Sequence, residues 1–414
     1  MIQKIENKAN TFLQKYPIVK KSIKRVYQLG MYAISPKLKS EGNIERISPD
    51  DGMEYFFGYY DKSPWDATDR YMLCLRAKDT TKSVAPKEPA EIVLFDTEDN
   101  NSYKILGATK TWNVQQGAML QWLGPDFKER IIYNDFRKGK YCSVILNIYT
   151  NKEEIIPMPV YSVAINGEFA LTLDFSRLHR LRKGYGYSNL EEETRSEKCP
   201  NQPCIWKVDL KDGNIIPLLY YTDFAEFDTR DEMINAEHKV NHIMLNPSSN
   251  RFMVLHRWIN ESKRYTRLVT VNIDGTHMYN LSDDDMTSHC TWKNDNEILA
   301  FAHKDGKGNG YYLMQDKTED FVQRWPELNS DGHPSYSPDG SMVVTDTYPN
   351  RSRVASVYII DDNEMKTIAK VFAPFKYDND VRCDLHPRWD RKGNKISFDS
   401  VFEGKRNLYY LKKI

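Results

Sequence analysis

The chain has 414 residues, a length that fits two or three ordinary domains or one large all-β ring. Lys and Arg together number 58, as do Asp and Glu, so the formal net charge is zero and no basic excess indicates a nucleic-acid partner. The six cysteines have neither disulfide-framework nor zinc-site spacing, and the first residues lack the apolar core of a signal peptide. We therefore expect a reduced, cytoplasmic protein.

The chain opens with a basic segment, residues 1–42, in which residues 16–33 read YPIVKKSIKRVYQLGMYA. Apolar and basic residues alternate there with roughly helical spacing, which predicts an amphipathic helix. Such a helix either lies on an anionic membrane surface or a partner protein, or packs against its own domain. No apolar run in the sequence reaches transmembrane length.

From residue 43 to residue 414, short strand-like runs alternate with turn residues, and hardly any helical periodicity remains. Seven such units follow one another, and the seventh ends after only three strands. Residues 43–48 match the missing strand in length and alternation, so they would complete the last unit and leave no unpaired seam. We predict an all-β, seven-bladed β-propeller, closed by an N-terminal strand and preceded by a short helical segment. A β-solenoid is the alternative, although its rungs would be shorter.

Four histidines recur at one register of the repeat: His242, His289, His333 and His386. In each case a large apolar residue follows three positions later, and then come a polar turn and a second strand. Repeats of roughly 40–50 residues built from short strands indicate a propeller, in which equivalent positions surround one axis. The four imidazoles are therefore expected to face one small volume.

A structural explanation of this register stays open. Propellers of the WD type place a histidine near the start of a blade within a hydrogen-bond network, and acidic or basic residues from neighbouring strands are available for such a network here. His238 and His277 fall outside the register, and we expect them at the surface.

A long insertion in the third unit leaves from the end of that unit's second strand, on the side where the histidines are expected. A loop of this length in a compact domain is usually functional or disordered. The residues of the insertion that would hang over the histidine ring and contact a substrate are Arg177, Arg180, Arg182 and Tyr185. Imidazoles with carboxylates suit transition metals, and arginines suit carboxylate capture, so the mouth favours an anionic glycan with uronic acids.

The stretch 238–400, with its His-x-x-aromatic starts and the Ser-Pro-Asp-Gly turn at 337–340, resembles TolB-like propellers and, within them, oligogalacturonate lyase. More distantly, it resembles the ulvan lyases. The block FGYYDKSPW at residues 57–65 is similar to one found in bacterial proteins associated with surface-polysaccharide genes.

The resemblance to oligogalacturonate lyase implies a manganese ion held by histidines and a glutamine, with a further histidine and arginines near the scissile sugar. By position, His333 and His386 match metal ligands, and His289 matches the catalytic histidine. The sequence departs from the lyase pattern at Asp384, where a histidine is expected, and at Val381, where the glutamine would stand. An aspartate can replace a histidine ligand, so the implied metal set is His333, Asp384 and His386.

The lyase interpretation predicts β-elimination from a uronate. A divalent ion, by preference manganese, and Arg257 or Arg382 would neutralise the substrate carboxylate. His289 would then remove the proton from the adjacent ring carbon, because an imidazole titrates near neutrality.

The first unit would supply the acid. Lys62, Tyr59 or Tyr60 would protonate the leaving oxygen, and the two tyrosines together with His242 would contact the sugar. The competing hypothesis is a non-catalytic glycan-binding or scaffold propeller in the assembly of a bacterial surface polysaccharide. The incomplete metal set and the basic N-terminal segment favour that alternative.

Overall fold

The computed structural model describes residues 17–34, 38–83, 88–261, 263–361 and 364–412, and it contains seven antiparallel sheets that form the blades of one propeller. Strands form where apolar and aromatic residues alternate or run together, and turn residues separate them. Buried apolar residues lie between neighbouring sheets and make up the core. The predicted all-β, seven-bladed β-propeller is confirmed, and the solenoid alternative is wrong.

Among the described residues, one helix and two short strands precede the first blade: α1 (Pro17–Ile34), β1 (Ser40–Glu41) and β2 (Ile44–Arg46). From the channel outward, blade one comprises β3 (Glu54–Phe56), β4 (Tyr71–Ala77), β5 (Ala90–Asp96) and β6 (Ser102–Thr109). Blade two comprises β7 (Gln121–Trp122), β8 (Arg130–Arg137), β9 (Lys140–Asn147) and β10 (Glu153–Ile156). Blade three comprises β11 (Ser162–Val163), β12 (Phe169–Leu173), β13 (Pro203–Asp209) and β14 (Ile215–Tyr220), with α2 (Phe175–Leu181) in its insertion.

The connection to blade four contains α3 (Tyr221–Glu226) and a 3₁₀ turn (Asp231–Met233). Blade four comprises β15 (Glu237–Leu245), β16 (Arg251–Asn260), β17 (Lys263–Asn272) and β18 (Tyr279–Ser282). Blade five comprises β19 (Thr287–Trp292), β20 (Glu297–Lys304), β21 (Gly308–Gln315) and β22 (Phe321–Arg324). Blade six contains β23 (Ser335–Tyr336), β24 (Val343–Asp346), β25 (Val354–Ile360) and β26 (Met365–Phe372). After a 3₁₀ turn (Asn379–Val381), blade seven contains β27 (Arg388–Trp389), β28 (Lys395–Ser400) and β29 (Asn407–Lys412).

The ring is closed by the N-terminal strand, as predicted. β2 pairs antiparallel with β29, with Ile44 opposite Leu411, and supplies the fourth strand of blade seven. β1 adds a fifth strand to blade six, where Ser40 lies opposite Val371. A strand from the predicted segment 1–42 is therefore part of a propeller sheet. Because the two ends of the chain share a sheet, no blade is left open at the junction.

Helix α1 packs against its own propeller through one face. Tyr32 stacks on Phe372 with the ring centroids 5.3 Å apart, and Arg25 donates to the Phe375 carbonyl at 3.1 Å. Apolar side chains on the opposite face stay exposed, Val26 by 70% and Ile34 by 77%. Contact of this face with a membrane surface or a partner stays a prediction. Within the described residues, no helix is both long and apolar enough to span a bilayer.

Residues 57–62 leave β3 and cross the centre of the ring. The backbone amides of Phe57 and Gly58 donate to the Asp399 carboxylate at 3.0 and 3.3 Å. The Gly58 carbonyl accepts hydrogen bonds from the Arg388 guanidinium and from the His386 ring. The first blade is thereby tied to the last, and a backbone carbonyl is held at the axis.

Replacing Gly58 tests how strongly the fold depends on this crossing. Gly58 has φ of +125°, and a Cβ there would lie 2.8 Å from the Gln116 backbone. Gly139, in the hairpin turn between β8 and β9, has φ of +78° with nothing within 4 Å of its Cβ position. We expect Gly139→Ala to lower the free energy of unfolding by about 1–2 kcal/mol, because alanine would have to adopt a left-handed conformation. Gly58→Ala should cost about 1–3 kcal/mol more, because it also overpacks the core. Denaturant midpoints measure both, and equal midpoints would contradict this account.

Candidate active site

The four repeated histidines converge at the centre of the ring. Neighbouring ring centroids lie 5.6 Å apart between His242 and His289, 4.1 Å between His289 and His333, and 4.3 Å between His333 and His386. Each of the four side chains is 3% exposed or less. The expected gathering of imidazoles in one small volume is present.

Local irregularities of the backbone aim these rings. The pairing of β15 with β16 shifts register between Asn241 and Met244, and that of β19 with β20 shifts between Thr287 and Cys290, so His242 and His289 both lie in bulges. His242 also has φ of +57° and His386 φ of +46°. Bulges re-aim side chains, and positive φ at a residue with a side chain is a strain that clusters at functional sites.

The predicted metal ligands lie together. One ligand atom from each of His333, Asp384 and His386 lies within 4.8 Å of the other two, and all three residues are buried. His333 Nδ1 lies 2.7 Å from Asp346 Oδ1, and His386 Nδ1 donates to the Gly58 carbonyl at 2.7 Å.

In both histidines, one ring nitrogen has no hydrogen-bond partner among the described residues. Because a backbone carbonyl only accepts, His386 carries its proton on Nδ1, which leaves a lone pair on Nε2. The Nε2 atoms of His333 and His386 are buried and have no hydrogen-bond partner among the described residues. A histidine that ligates a metal typically gives its other ring N–H to a carboxylate or a carbonyl, as these two do. Two imidazoles and a carboxylate suit a divalent transition metal.

The charges around this triad are strongly coupled. Burial, and then the neighbouring His333, lower the pKa of His386 well below its usual value. Burial opposes a charge on His333, but the Asp346, Asp384 and Asp331 carboxylates together outweigh burial and raise the pKa of His333. Burial would likewise raise the pKa of Asp384, but Arg382, His333 and His289 together outweigh burial and lower that pKa. Asp384 is therefore ionised, as a metal ligand must be.

Arg382 forms a bidentate ion pair with Asp384. Its Nε and Nη2 donate to the two carboxylate oxygens at 2.5 and 2.9 Å, and its guanidinium lies 4.2 Å from the centroid of the Tyr348 ring. A guanidinium held in this bidentate pair orients a predicted metal ligand and is not free to capture a substrate carboxylate. Of the two arginines named from the sequence, this pairing disfavours Arg382, and the role of Arg257 stays a prediction.

His289 is held by a carboxylate. Its Nδ1 lies 3.0 Å from Asp331 Oδ1, and Ser288 donates to the other oxygen at 2.7 Å. Because the carboxylate accepts, the ring proton lies on Nδ1 and the Nε2 lone pair is available as a base. Burial lowers the pKa of His289 although Asp331 acts in the opposite direction, so the ring is neutral near pH 7.

The two tyrosines form the floor of the site. Tyr59 Oη lies 2.7 Å from a ring nitrogen of His242, and Tyr60 Oη donates to the Cys290 carbonyl at 2.8 Å and accepts from the Cys290 amide at 3.1 Å. Each tyrosine is 2% exposed. Tyr60 was predicted to contact the sugar or to donate a proton, but its hydroxyl is saturated by the backbone, so that prediction is withdrawn.

Lys62 lies at the other end of the channel. Its Nζ donates to Asp61 at 2.7 Å, and it lines a cavity of about 210 Å³ with Trp122 and Leu245, the last residues of β7 and β15. The insertion of blade three leaves from the opposite side, after β12. The prediction that Lys62 protonates a leaving group beside the imidazoles is therefore wrong.

The insertion is built around two arginines that were predicted to contact the substrate. Arg177 is fully buried and pairs with Glu192 at 2.5 Å, and it donates to the Lys198 carbonyl at 2.7 Å. Arg180 pairs with Glu192 and, at 2.6 Å, with Glu237. Both predictions are wrong, because these guanidinium groups are used to hold the insertion on the propeller.

Two other residues of the insertion do reach the site. Tyr185 is 4% exposed, and its ring meets Tyr59 edge-on at 6.3 Å. The Arg182 guanidinium lies 4.1 Å from the centroid of the Tyr185 ring.

Arg257 is a buried charge of the site that forms no ion pair with a described carboxylate. It is 4% exposed, and its Nε and Nη1 atoms have no partner among the residues that the structure describes. Burial, and then Arg182 and Arg264, lower the pKa of Arg257 to about 9. Burying a guanidinium without an acceptor costs free energy. Such a group is typical of a site that binds an anion.

No family model matches the chain, and no curated protein matches it significantly. Solved structures do match. Oligogalacturonate lyase from Vibrio parahaemolyticus is 13% identical, with 89% of this chain and 93% of that chain covered and a TM-score of 0.62. An oligogalacturonate lyase in complex with manganese is 16% identical, with 92% and 95% covered and a TM-score of 0.63. The chain has the oligogalacturonate lyase fold.

The remaining resemblance is more distant. TolB from Acinetobacter baumannii is 15% identical, with 69% of this chain and 60% of that chain covered, but its TM-score is only 0.40. The structural comparison therefore rests on the two lyases, and at their level of identity it concerns the fold alone.

Sequence reasoning missed several residues of this lyase-like propeller. Asp331 lies in a loop before blade six, and Lys239 and Arg264 lie in strands of blade four with no motif around them. Asp346, the last residue of β24, accepts hydrogen bonds from both the ring and the backbone of His333. A charge within a buried strand is the signal that marks Lys239.

His238 is buried, so the predicted surface position is wrong, whereas His277 is exposed as predicted. A directed chain of hydrogen bonds runs from Arg267 Nε to His256 Nδ1 at 3.1 Å, from His256 to His238 at 2.9 Å, and from His238 to the Met233 carbonyl at 3.2 Å. This direction requires both rings to be neutral. Burial lowers the pKa of both histidines.

Stability should therefore fall in mild acid. Below a pH of about 6.5 the histidines of the unfolded chain bind protons, whereas the buried histidines of the folded chain stay neutral. This difference lowers the free energy of unfolding by up to about 1.4 kcal/mol per pH unit for each histidine. His333, whose pKa is raised, acts in the opposite sense. We expect the free energy of unfolding to fall as the pH drops below 6.5, where the histidines with lowered pKa outnumber His333, with a smaller slope in His256→Gln. His277→Ala is the control and should keep the full slope. An unchanged slope in His256→Gln, measured by urea unfolding between pH 5 and 8, would contradict the assignment.

Proposed function

We propose that the protein is a metal-dependent polysaccharide lyase that cleaves an anionic, uronic-acid-containing glycan by β-elimination. The observation that carries the proposal is the buried triad of His333, Asp384 and His386, with two unpartnered imidazole nitrogens, beside a carboxylate-held His289. The shared fold with oligogalacturonate lyases, one of them in complex with manganese, supports it.

His333, Asp384 and His386 would hold a divalent ion, with manganese the first choice. The ion would draw electron density from the substrate carboxylate and so make the proton on the adjacent carbon more acidic. The glutamine of the lyase pattern is replaced by Val381, a half-buried residue that packs against an apolar core. The ionised Asp384 adds negative charge to the set, which compensates for the loss of a neutral ligand.

The chain's own groups account for the remaining steps. Arg257 binds the substrate carboxylate and holds the uronate in place. His289 Nε2 takes the proton from the carbon next to the carboxylate, while Asp331 keeps the ring oriented and stabilises its positive charge. The carbon–oxygen bond to the leaving sugar breaks as the carbon–carbon double bond forms.

The leaving oxygen then needs a proton. Among the three donors considered from the sequence, Tyr59 is the one whose hydroxyl lies beside an imidazole of the ring, His242, at 2.7 Å. We therefore assign the acid to Tyr59, with His242 as its hydrogen-bond partner; solvent returns a proton to the tyrosine, and His289 loses its proton to solvent, once the product has left.

Metal content tests the triad without reference to turnover. Purified protein dialysed against manganese should retain about one ion per chain. His333→Ala and Asp384→Asn should each lower the affinity at least tenfold, since outer or inner groups of a metal site contribute about 10–100-fold. His277→Ala, an exposed histidine outside the register, is the matched control. Equal metal content in the triad variants and the control would contradict the assignment.

Turnover tests the base. Uronate oligosaccharides should yield an unsaturated product that absorbs in the ultraviolet. The rate should fall by about 10²–10⁴-fold in His289→Ala, the usual contribution of a general base. Asp331→Asn should reduce the rate less and should leave metal content unchanged. If no uronic-acid glycan in a broad panel gives the absorbance, the lyase proposal fails.

A second candidate is a non-catalytic glycan-binding or scaffold propeller in surface-polysaccharide assembly. The ion pair between Arg382 and Asp384 favours it, because that pair alone satisfies the carboxylate. Glycan binding without metal retention and without an unsaturated product would support this candidate.

A further inference from the structure

A group of four positive side chains, the cationic cluster, lies where the insertion meets blade four. Its members are Arg182, Lys239, Arg257 and Arg264. Lys239 on β15 lies directly opposite Arg257 on β16, which in turn lies opposite Thr266 on β17. Because strand side chains alternate, Arg264 shares the face of Thr266, so three of the cations lie on one face of the blade.

No described carboxylate forms an ion pair with any member of the cationic cluster. Burial, and then Arg257, Arg182 and Arg264, lower the pKa of Lys239 well below its ordinary value. Glu237 acts in the opposite direction, but it is paired with Arg180 at 2.6 Å. Lys239 Nζ donates to a neutral acceptor, the Leu181 carbonyl, at 3.3 Å.

This lack of partners is unusual for the chain. Most other buried arginines pair with carboxylates, as Arg251 does with Asp316 at 2.6 Å and Arg388 with Asp399 at 2.8 Å. Arg406 is the exception among the described residues, and it donates instead to Thr80 and to backbone carbonyls. Lys239 is as buried as these, at 1% exposed, and like charges directly opposite each other in a sheet destabilise it. A fold that tolerates such repulsion is arranged for an anionic ligand.

One uronate carboxylate does not match this cluster. A carboxylate offers only two acceptor oxygens, whereas the cluster brings donors from three strands of blade four and from the insertion. A tetrahedral ester such as sulfate or phosphate offers three acceptor oxygens to donors on several sides, and arginine binds such groups with two parallel hydrogen bonds.

We infer that the cationic cluster is a second anion subsite, which binds a sulfate or phosphate ester carried by the glycan next to the uronate. The inference rests on the proposed function, because it places the ester on the same substrate. Arg264, exposed at the rim, and Lys239, at the base, would contact the ester, while Arg257 lies between the ester and the carboxylate.

Calorimetric titration with sodium sulfate, sodium phosphate and sodium acetate, at matched ionic strength, tests the subsite. We expect sulfate or phosphate to bind and acetate to bind at least about tenfold more weakly. Arg264→Gln and Lys239→Gln should each weaken the binding of the tetrahedral anion about tenfold, the loss of one charge-assisted hydrogen bond. Lys140→Gln, which removes an exposed charge from a hairpin of blade two, is the matched control and should change nothing.

Whichever of sulfate and phosphate binds more tightly identifies the ester. Acetate binding as tight as that of both tetrahedral anions, or unchanged binding in Arg264→Gln, overturns the inference. Arg264 is exposed, so its variant keeps the test valid even if Lys239→Gln does not fold. Failure of the two proposals is distinguishable, because His333→Ala should abolish elimination and leave sulfate or phosphate binding intact.

Discussion

The Gly58 peptide, at the axis of the ring, determines how the site is arranged. Its amide donates to Asp399, and its carbonyl accepts from Arg388 and from His386 Nδ1. Since the carbonyl only accepts, it sets the tautomer of His386 and leaves the Nε2 lone pair without a partner among the described residues. Asp346 plays the corresponding role one blade earlier, where it accepts from the ring and the backbone of His333 and from the His386 amide. The ring closure and the presentation of ligand atoms are therefore one hydrogen-bond network.

The buried cations of the protein differ in their partners. Arg177, Arg251 and Arg388 are paired with carboxylates and hold loops or strands in place, and Arg406 donates to neutral acceptors. Arg257 and Lys239 are equally buried but have no described carboxylate partner. Under the proposed function, the free-energy cost of burying these two charges is offset when an anion binds. That contrast, more than the number of basic residues, is the reason for proposing that the substrate binds beside them.

Much of the fold was predictable because it depends on local alternation and on repetition. The blade count, the closing strand and the convergence of four imidazoles all follow from a register that is visible in the sequence. The errors arose where a partner lies far away along the chain. Nothing near Arg177 indicates that Glu192 will neutralise it. Tyr60 and Lys62 are close in sequence, but Lys62 lines a cavity at the other end of the channel. His238 was misplaced because its partner, His256, depends on strand pairing.

The central claim is that the buried triad holds a metal ion beside His289. Anomalous diffraction from crystals grown with manganese locates that ion directly. The account predicts one strong peak within coordination distance of His333 Nε2, His386 Nε2 and the Asp384 carboxylate. Crystals saturated with manganese that show no peak there, or a peak only at surface carboxylates, would contradict it.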